Sequence, residues 1–266
     1  MKIGVSIKPI LHVAEDPQEI LEAIFVKEAG FDYVEVHTND LNEIESFFLK
    51  LIKKSGIKFS VHCPHFYSNE KVNFCSDKKT DIQNADHWLK ESIKYAKKLK
   101  SKNVVIHPDQ AACSKKNSLK ILETHIKNNL KLLTKNQKIL IENMPGENYP
   151  LSTPHEFKEF LKKFKKQVAV CWDIGHEIVR FQKQQFTFPK ILKNKIKEVH
   201  ISGIVEKQGR FGDHAPLTKN KLKLKQALDS LKEINFKGPI IFEISTNNPL
   251  DILESKKEID KSMIKS

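Results

Sequence analysis

The 266 residues of this chain carry 46 Lys and Arg against 33 Asp and Glu, which gives a formal net charge of +13. The length allows one domain with a complete hydrophobic core. No apolar run approaches the ~18 residues of a membrane-spanning helix, which excludes a transmembrane protein. The basic charge is compatible with nucleic acid binding, but the only arginines are Arg180 and Arg210. Because Lys dominates and is spread over the predicted helices, we interpret the charge as a solvated surface rather than a DNA-binding footprint.

The cysteines and the start of the chain indicate the compartment. The four cysteines, Cys63, Cys75, Cys113 and Cys171, show no CxxC spacing, which is typical of reduced thiols in a cytoplasmic protein. Met1 leads almost directly into the first predicted strand, so no signal peptide is expected. We therefore predict a cytoplasmic protein without a membrane partner. A homo-oligomer is compatible with the sequence.

Eight short apolar runs, rich in Val and Ile, recur at intervals of about 30 residues. Most of them are followed by Gly, Pro or Asn, which is the pattern of a buried strand that opens into a loop. The first run is Ile3–Ile7. In chain order, the predicted strands end at Ile7, His37, His62, His107, Glu142, Asp173, His200 and Glu243.

Amphipathic stretches lie between the strands. Helices are predicted over Pro17–Glu28, Leu41–Ser55, Asp81–Leu99, Ser118–Leu133, Thr153–Phe164 and Leu222–Ile234. Alternating strands and helices indicate right-handed crossovers and a parallel sheet. Eight such units predict a single α/β domain, a (β/α)8 TIM barrel over residues 1–266, because these barrels take ~250 residues. An open doubly wound sheet is the alternative, but no GxGxxG follows the first strand.

Polar residues end the last four strands of this barrel. Glu142, Asp173, His200 and Glu243 come from consecutive strands, and the C-terminal ends of barrel strands share one mouth, where active sites lie. Each residue alone could be an ordinary polar strand end. Neighbouring strands are ~4.8 Å apart, so four ligands can converge on one ion. Three carboxylates with one imidazole suit Mn²⁺, Mg²⁺, Co²⁺ or Zn²⁺, and the sequence therefore predicts a divalent metal site.

Further candidates lie beside these four. His176 follows Asp173 in a D-x-x-H spacing and is a candidate for a second ion or a substrate oxygen. The long loop after the seventh strand carries Asp213 and His214, and also Arg210 as a candidate anion contact. His62 and His107 follow the third and fourth strands, as ligands of a further metal or as donors to a substrate.

Six motifs, in order, carry a family resemblance: SVHCPHF, VVIHPD, ILIENMPG, VCWDIGHE, VHISG with GDHAPL, and IIFEIS. They resemble the signatures of the xylose-isomerase-like TIM barrels over Ile3 to about Glu254. That superfamily contains sugar and sugar-phosphate isomerases and epimerases. It also contains endonuclease IV, a zinc enzyme that cuts DNA at abasic sites.

The resemblance to the sugar branch implies one divalent ion, held by Glu142, Asp173, His200 and Glu243. The ion binds a carbonyl oxygen and the neighbouring hydroxyl of a sugar or sugar phosphate and so stabilises an enediolate. Glu142 and Glu243 then transfer the proton, with His176 as a further catalytic residue. The substrate-binding candidates are His62, His107, Arg210 and His214.

The resemblance to the endonuclease branch implies three zinc ions and DNA as the partner. His62, His107 and Glu142 match one site, the four strand-end residues a second, and His176 with an Asp-x-His pair a third. Here, however, Asp213 and His214 are adjacent, after Gly212. Adjacent residues in an extended loop point to opposite sides, so we predict one ion or two, and not three, unless Gly212 turns the backbone.

Two other features depart from the endonuclease pattern. HPD replaces the usual HPG, and the loop HTNDLNE lacks the arginine and aromatic residues expected to wedge into DNA. The sequence therefore favours a metal-dependent sugar isomerase or epimerase. An endonuclease IV-like enzyme is the alternative, and a non-catalytic metal- or sugar-binding barrel is the third hypothesis.

Overall fold

The structure is a computed structural model that describes residues 1–9, 29–38, 56–67, 70–219 and 222–264. The helices predicted over Pro17–Glu28 and Leu41–Ser55 lie outside the described residues. In the described part, no helix is both long and apolar enough to cross a membrane.

Eight parallel strands close into a barrel in the order β1-β12-β9-β8-β7-β6-β3-β2, which confirms the predicted TIM barrel. They are β1 (Lys2–Ser6), β2 (Tyr33–His37), β3 (Lys58–His62), β6 (Asn103–Ile106), β7 (Lys138–Glu142), β8 (Val168–Asp173), β9 (Ile196–Ile201) and β12 (Pro239–Phe242). The other four described strands form two hairpins outside the barrel sheet. One pairs β4 (Phe66–Tyr67) with β5 (Glu70–Lys71), and the other pairs β10 (Gly203–Lys207) with β11 (Arg210–Ala215). The predicted strand ends agree with the observed ones within one residue.

Seven α-helices lie in the described part: α1 (Lys79–Lys98), α2 (Lys115–Asn129), α3 (Pro154–Leu161), α4 (Ile174–Phe181), α5 (Thr187–Leu192), α6 (Leu224–Glu233) and α7 (Pro249–Ile264). Four of them match predicted helices. The start of α3 is set locally, because Thr153 and Glu156 form a reciprocal capping box with Pro154 in the first turn. Helices α4, α5 and α7 were not predicted. Helices α4 and α5 do not exceed 8 residues, so their hydrophobic periodicity is too brief to detect. Helix α7 has 16 residues and follows the last strand, where no helix was assigned.

Alternate residues of each strand face the barrel interior, as strand geometry requires. Along β7 these are Lys138, Leu140 and Glu142, which lie at the bottom, the middle and the top of the barrel. The residues between them, Ile139 and Ile141, are fully buried against the surrounding layer. The small apolar cluster in the middle of the interior consists of Val105, Leu140, Ala169 and Cys171. The outward-facing residues join the larger core, where Trp172 is fully buried.

Candidate functional site

Glu142 is the central residue of the barrel mouth. It is fully buried, and its two carboxylate oxygens contact four imidazoles. Oε2 lies 3.3 Å from His62 Nε2, 3.1 Å from His107 Nε2 and 3.3 Å from His200 Nδ1, and Oε1 lies 3.2 Å from His176 Nδ1. One carboxylate therefore connects side chains that follow five different strands.

The four strand-end residues come together as predicted. Single donor atoms of Glu142, Asp173, His200 and Glu243 all lie within 4.8 Å of one another. Ligands at 2.0–2.2 Å from one ion can be no more than roughly 4.3 Å apart, so a divalent ion fits after small adjustments. Two buried atoms agree with this, because Glu142 Oε1 and His200 Nδ1 have close contacts but no hydrogen bond of suitable geometry within the described part of the chain. Burial, together with the carboxylates of Glu142 and Glu243, also raises the pKa of Asp173 to about 7, although His176 acts in the opposite direction.

His62, His107 and Glu142 form a second cluster within the same distance limit. The backbone orients the His62 ring, because His62 Nδ1 lies 2.7 Å from the carbonyl oxygen of Cys63. If Nδ1 donates to that carbonyl, Nε2 keeps its lone pair for an ion. The ring of His37 stacks on His62 with centroids 4.3 Å apart, which fixes the plane of the imidazole.

The third cluster contains His176, Asp213 and His214. Asp213 lies between the two imidazoles, with His176 Nε2 3.9 Å from its Oδ2 and His214 Nε2 3.8 Å from its Oδ1. His214 Nδ1 lies 3.1 Å from the carbonyl oxygen of Glu243, so Nε2 remains for an ion. The premise that Asp213 and His214 could not face the same site is therefore wrong.

A β-bulge explains the error. Gly203 pairs with Ala215 and Val205 pairs with Gly212, so Asp213 and His214 together oppose one residue of β10. Bulges of this kind redirect side chains beside active sites. The left-handed backbone lies at His214 itself, with φ 59°. We expected any such turn at Gly212, which is not among the described residues of positive φ.

The D-x-x-H spacing also has a local explanation. Asp173 is the N-cap of α4, and its Oδ1 accepts the backbone N–H of His176 at 2.5 Å. The helix start thus holds both side chains at the mouth. Asn143 supports them from β7, because its side chain exchanges two hydrogen bonds with the Asp173 backbone and its carbonyl oxygen lies 2.8 Å from His176 Nδ1.

Asn143 and Glu35 were not predicted as part of the site. Glu35 Oε2 lies 3.1 Å from His200 Nε2, and both residues are fully buried. The inward parity of β2 could have identified Glu35, since it alternates with His37. Arg210 differs from the other candidates, because it is exposed beside the turn of the hairpin, opposite Lys207. It belongs to none of the three clusters, and its anion contact stays a prediction.

The lack of a side chain at Gly175 lets the hairpin approach α4. A Cβ built there would lie 2.8 Å from Asp213 Cβ and 3.2 Å from Asp173 Oδ1. We expect Gly175→Ala to displace Asp213 and to weaken metal binding at the third cluster about 10-fold, measured by competition with a chromophoric chelator. Gly212→Ala is the matched control, because its Cβ would meet only Val205 at 3.8 Å. Equal metal affinity in the two variants would contradict this packing argument.

Carboxylates around the clusters favour the protonated form of two imidazoles at neutral pH. Burial alone would lower the pKa of His62, but the hydrogen bond to Glu142 and nearby carboxylate charges raise it to about 9. Burial likewise opposes the charge of His176, and Asp173 and Glu142 raise its pKa well above the usual value. Nearby carboxylates therefore favour the protonated form of both imidazoles.

Metal binding should consequently release protons, because an imidazole must be neutral to bind an ion. We expect titration calorimetry at pH 7 in buffers of different ionisation enthalpy to show about one proton released from each of His62 and His176 when it binds an ion. The release should decline as the pH rises through about 9, the pKa of His62. Binding without proton release at pH 7 would show that these imidazoles are neutral or do not bind the ion.

Comparisons with known proteins agree with this architecture. The family model described as xylose isomerase-like TIM barrel matches residues 24–263. The crystal structure of a D-tagatose 3-epimerase-like protein is similar with a TM-score of 0.77 and 22% identity, covering 99% of this chain and 97% of that chain. The structure of IolI protein with a bound zinc atom is similar with a TM-score of 0.75 and 18% identity, covering 100% of this chain and 97% of that chain.

A related protein from Methanocaldococcus jannaschii, named Uncharacterized protein MJ0133, is 28% identical to this chain over 217 residues, which are 74% of this chain and 76% of that protein. At such identities the structural likeness shows the fold alone. The family model, however, covers most of the chain, including every residue of the three clusters. The chain therefore belongs to the xylose isomerase-like TIM barrel family.

Proposed function

We propose that this protein is a divalent-metal-dependent isomerase or epimerase of a sugar or sugar phosphate. The observation that carries the proposal is the placement of two carboxylates about one imidazole. His200 Nδ1 lies 3.3 Å from Glu142 Oε2 and 3.4 Å from Glu243 Oε1. Two carboxylates close to one ion are what proton transfer next to a sugar carbonyl requires. The similarity to a D-tagatose 3-epimerase-like protein supports this class of reaction.

Glu142, Asp173, His200 and Glu243 would hold the ion. When bound, it would supply the Lewis acidity that polarises a carbonyl and makes the neighbouring C–H acidic. The donor set suits Mn²⁺, Mg²⁺, Co²⁺ or Zn²⁺. The zinc bound to IolI protein favours testing Zn²⁺ first.

The two glutamates differ in access to a substrate. The side chain of Glu243 is 9% exposed, whereas that of Glu142 is fully buried and surrounded by imidazoles. We assign removal of the carbon-bound proton to Glu243 and the orientation of the surrounding imidazoles to Glu142. His176 directs Nε2 towards Asp213 and would return a proton or donate to a substrate oxygen. His62, His107 and His214 would donate to sugar hydroxyls, and Arg210 would contact a phosphate if the substrate carries one.

Hydrogen exchange with solvent tests the proposal before the sugar is known. The protein is incubated in D₂O with each of the four metals and a panel of ketoses, aldoses and their phosphates, and deuterium uptake is followed by NMR. We expect uptake at a carbon next to the carbonyl for at least one substrate, and its loss in Glu243→Gln. Uptake that persists in Glu243→Gln would contradict the assignment of the base.

A second candidate function is the hydrolysis of a phosphodiester at an abasic site in DNA. The observation that favours it is that the three clusters lie side by side, with Glu142 common to two of them. Several adjacent ions can activate water and stabilise a leaving phosphate oxygen. This arrangement weakens the prediction of only one or two ions, which was based on the geometry of Asp213 and His214.

Ion stoichiometry and one parallel assay separate the hypotheses. Elemental analysis of the protein reconstituted with Zn²⁺ is combined with incision of an abasic-site duplex at physiological salt. Three ions with incision that is lost in Glu142→Gln, and no deuterium uptake from any sugar, would replace the first proposal by the second. Bound metal with neither activity would favour a non-catalytic metal- or sugar-binding barrel.

A further inference from the structure

The bottom of the barrel, at the opposite end from the metal clusters, is a basic depression. Its volume is about 930 Å³. Three lysines line it from the first residues of barrel strands, Lys2, Lys58 and Lys138, and Lys197 from the second residue of β9. Lys100, Lys102 and Lys237, in the connections that lead into β6 and β12, complete the set. We call these seven side chains the lysine ring.

Strand alternation accounts for the position of Lys58 and Lys138 in the ring. Lys58, Ser60 and His62 share the inward face of β3, just as Lys138, Leu140 and Glu142 share that of β7. Each such strand therefore presents a metal-ligand candidate at its top and an ammonium group at its bottom. Eight strands spaced ~4.8 Å apart and tilted by ~36° enclose a circle roughly 15 Å across. A lysine side chain reaches about 6 Å, so the ammonium groups can meet around one small ligand.

The ring carries more positive charge than nearby carboxylates offset. In the described part of the chain, none of its seven lysines forms an ion pair with a carboxylate, whereas helix lysines such as Lys90, Lys127 and Lys225 each bind an acid one turn away. Two acids lie near the depression and offset this charge only in part, and Asp32 acts on Lys58 among the ring lysines. Asp32 accepts the backbone N–H of Ile3, and the buried Glu198 accepts from Asn103 at 2.5 Å.

The lysines also affect one another. Contact with Lys2 lowers the pKa of Lys58, and burial together with Lys197 lowers that of Lys138. Clustered like charges without counterions destabilise a fold. A cluster that opposes folding in this way is typical of a binding surface that is stabilised only by its ligand.

We propose that the lysine ring binds a compact polyanion of the polyphosphate class, such as the polyphosphate group of a small metabolite. Three observations favour a small ligand over a nucleic acid. The depression is concave and has the volume of a small-molecule pocket. Its charges are flexible Lys point charges, without the Arg forks that suit an extended phosphate backbone. Tyr33, Phe59 and Pro239 add apolar surface beside the ring, which would accommodate a non-phosphate part.

This site is independent of the proposed function. The strands are four to six residues long, so the ring lies roughly 15 Å from the metal clusters. An anion there would neither contact a metal-bound substrate nor need the metal for its own binding.

Inorganic tripolyphosphate is the probe for the test. The protein, at low ionic strength, is titrated with tripolyphosphate by calorimetry, and its metal content is measured before and after titration. Two triple variants lose the same charge. Lys58→Gln/Lys102→Gln/Lys237→Gln removes part of the ring, and Lys116→Gln/Lys120→Gln/Lys257→Gln removes exposed lysines of α2 and α7.

We expect saturable 1:1 binding that weakens at least 10-fold in the ring variant and less than 2-fold in the helix variant. Without ligand, the ring variant should melt at a higher temperature than the parent at low salt, because repulsion is relieved. Mass spectrometry after acetylation should show that tripolyphosphate protects Lys2, Lys58 and Lys197 but not Lys116.

Three results would overturn the proposal. These are the absence of saturable binding, an equal loss of affinity in both triple variants, and heat that arises only from removal of metal at the mouth. A short DNA duplex that binds more tightly than tripolyphosphate and protects the same lysines would replace the compact ligand by a nucleic acid.

Discussion

Glu142→Gln is expected to abolish turnover, by at least ~10³-fold, and to remove more than one ion. The variant keeps the size of the side chain but replaces a carboxylate that contacts four imidazoles by a neutral amide. Two of the three clusters lose a ligand at once. A bound metal ion supplies several kcal/mol of transition-state stabilisation, and about 1.4 kcal/mol corresponds to a tenfold change in rate, so the loss of ligands alone accounts for this decrease. The activity assay measures the loss of turnover, elemental analysis measures the loss of ions, and circular dichroism checks that the variant is folded.

Glu243→Gln is the matched comparison. It should reduce turnover to a similar extent but lower the metal content by no more than one ion, because His62, His107 and Glu142 remain as a cluster. Near wild-type activity in either variant would refute the two-glutamate site. The same ion loss in both would contradict the central position assigned to Glu142.

Glu35→Gln is expected to weaken metal binding by ~10–100-fold without altering the ligands themselves. Glu35 Oε2 lies 3.1 Å from His200 Nε2, so it can accept that N–H and leave Nδ1 for the ion. Carboxylates that hold a ligating imidazole in this way typically contribute such factors to metal affinity. Competition with a chelator at fixed pH measures the change.

Glu177→Gln is the control for Glu35→Gln. Glu177 is also fully buried, but it accepts from Trp172 Nε1 at 2.8 Å and from the hydroxyl of Thr187 at 2.6 Å, away from the clusters. We expect this variant to lose thermal stability and to keep its metal affinity within about 2-fold. If both variants bind metal equally, Glu35 has no positioning role.

Much of the fold could be predicted because every predicted strand is a short apolar run, and all but the first end in a polar residue. The ligand candidates followed from the same pattern, since a barrel brings all strand ends to one mouth. His62, Glu142 and His200 were found in this way, and the structure places their side chains in contact. Their catalytic and metal-binding roles stay predictions.

The third cluster could not be assessed from the sequence, because it depends on one backbone feature. In an extended strand, Asp213 and His214 would point to opposite sides. The bulge against β10 instead directs both side chains to the same site. A positive φ at a histidine leaves no clear sequence signal, unlike one at glycine. Glu35 was hard to assign for another reason, since it lies one layer below the mouth and acts through His200 rather than at a strand end.

The shared position of Glu142 has a consequence for how ions are taken up. A ligand common to two sites makes their occupancies interdependent, because the first ion changes the charge and the proton content that the second one meets. By linkage, each ion must alter the affinity of the other by the same factor. Metal uptake should therefore be cooperative, in either sense, with a Hill coefficient that differs from 1. Replacing His107, which belongs to only one cluster, should change the affinity for an ion held by Asp173 and Glu243, residues that it need not touch.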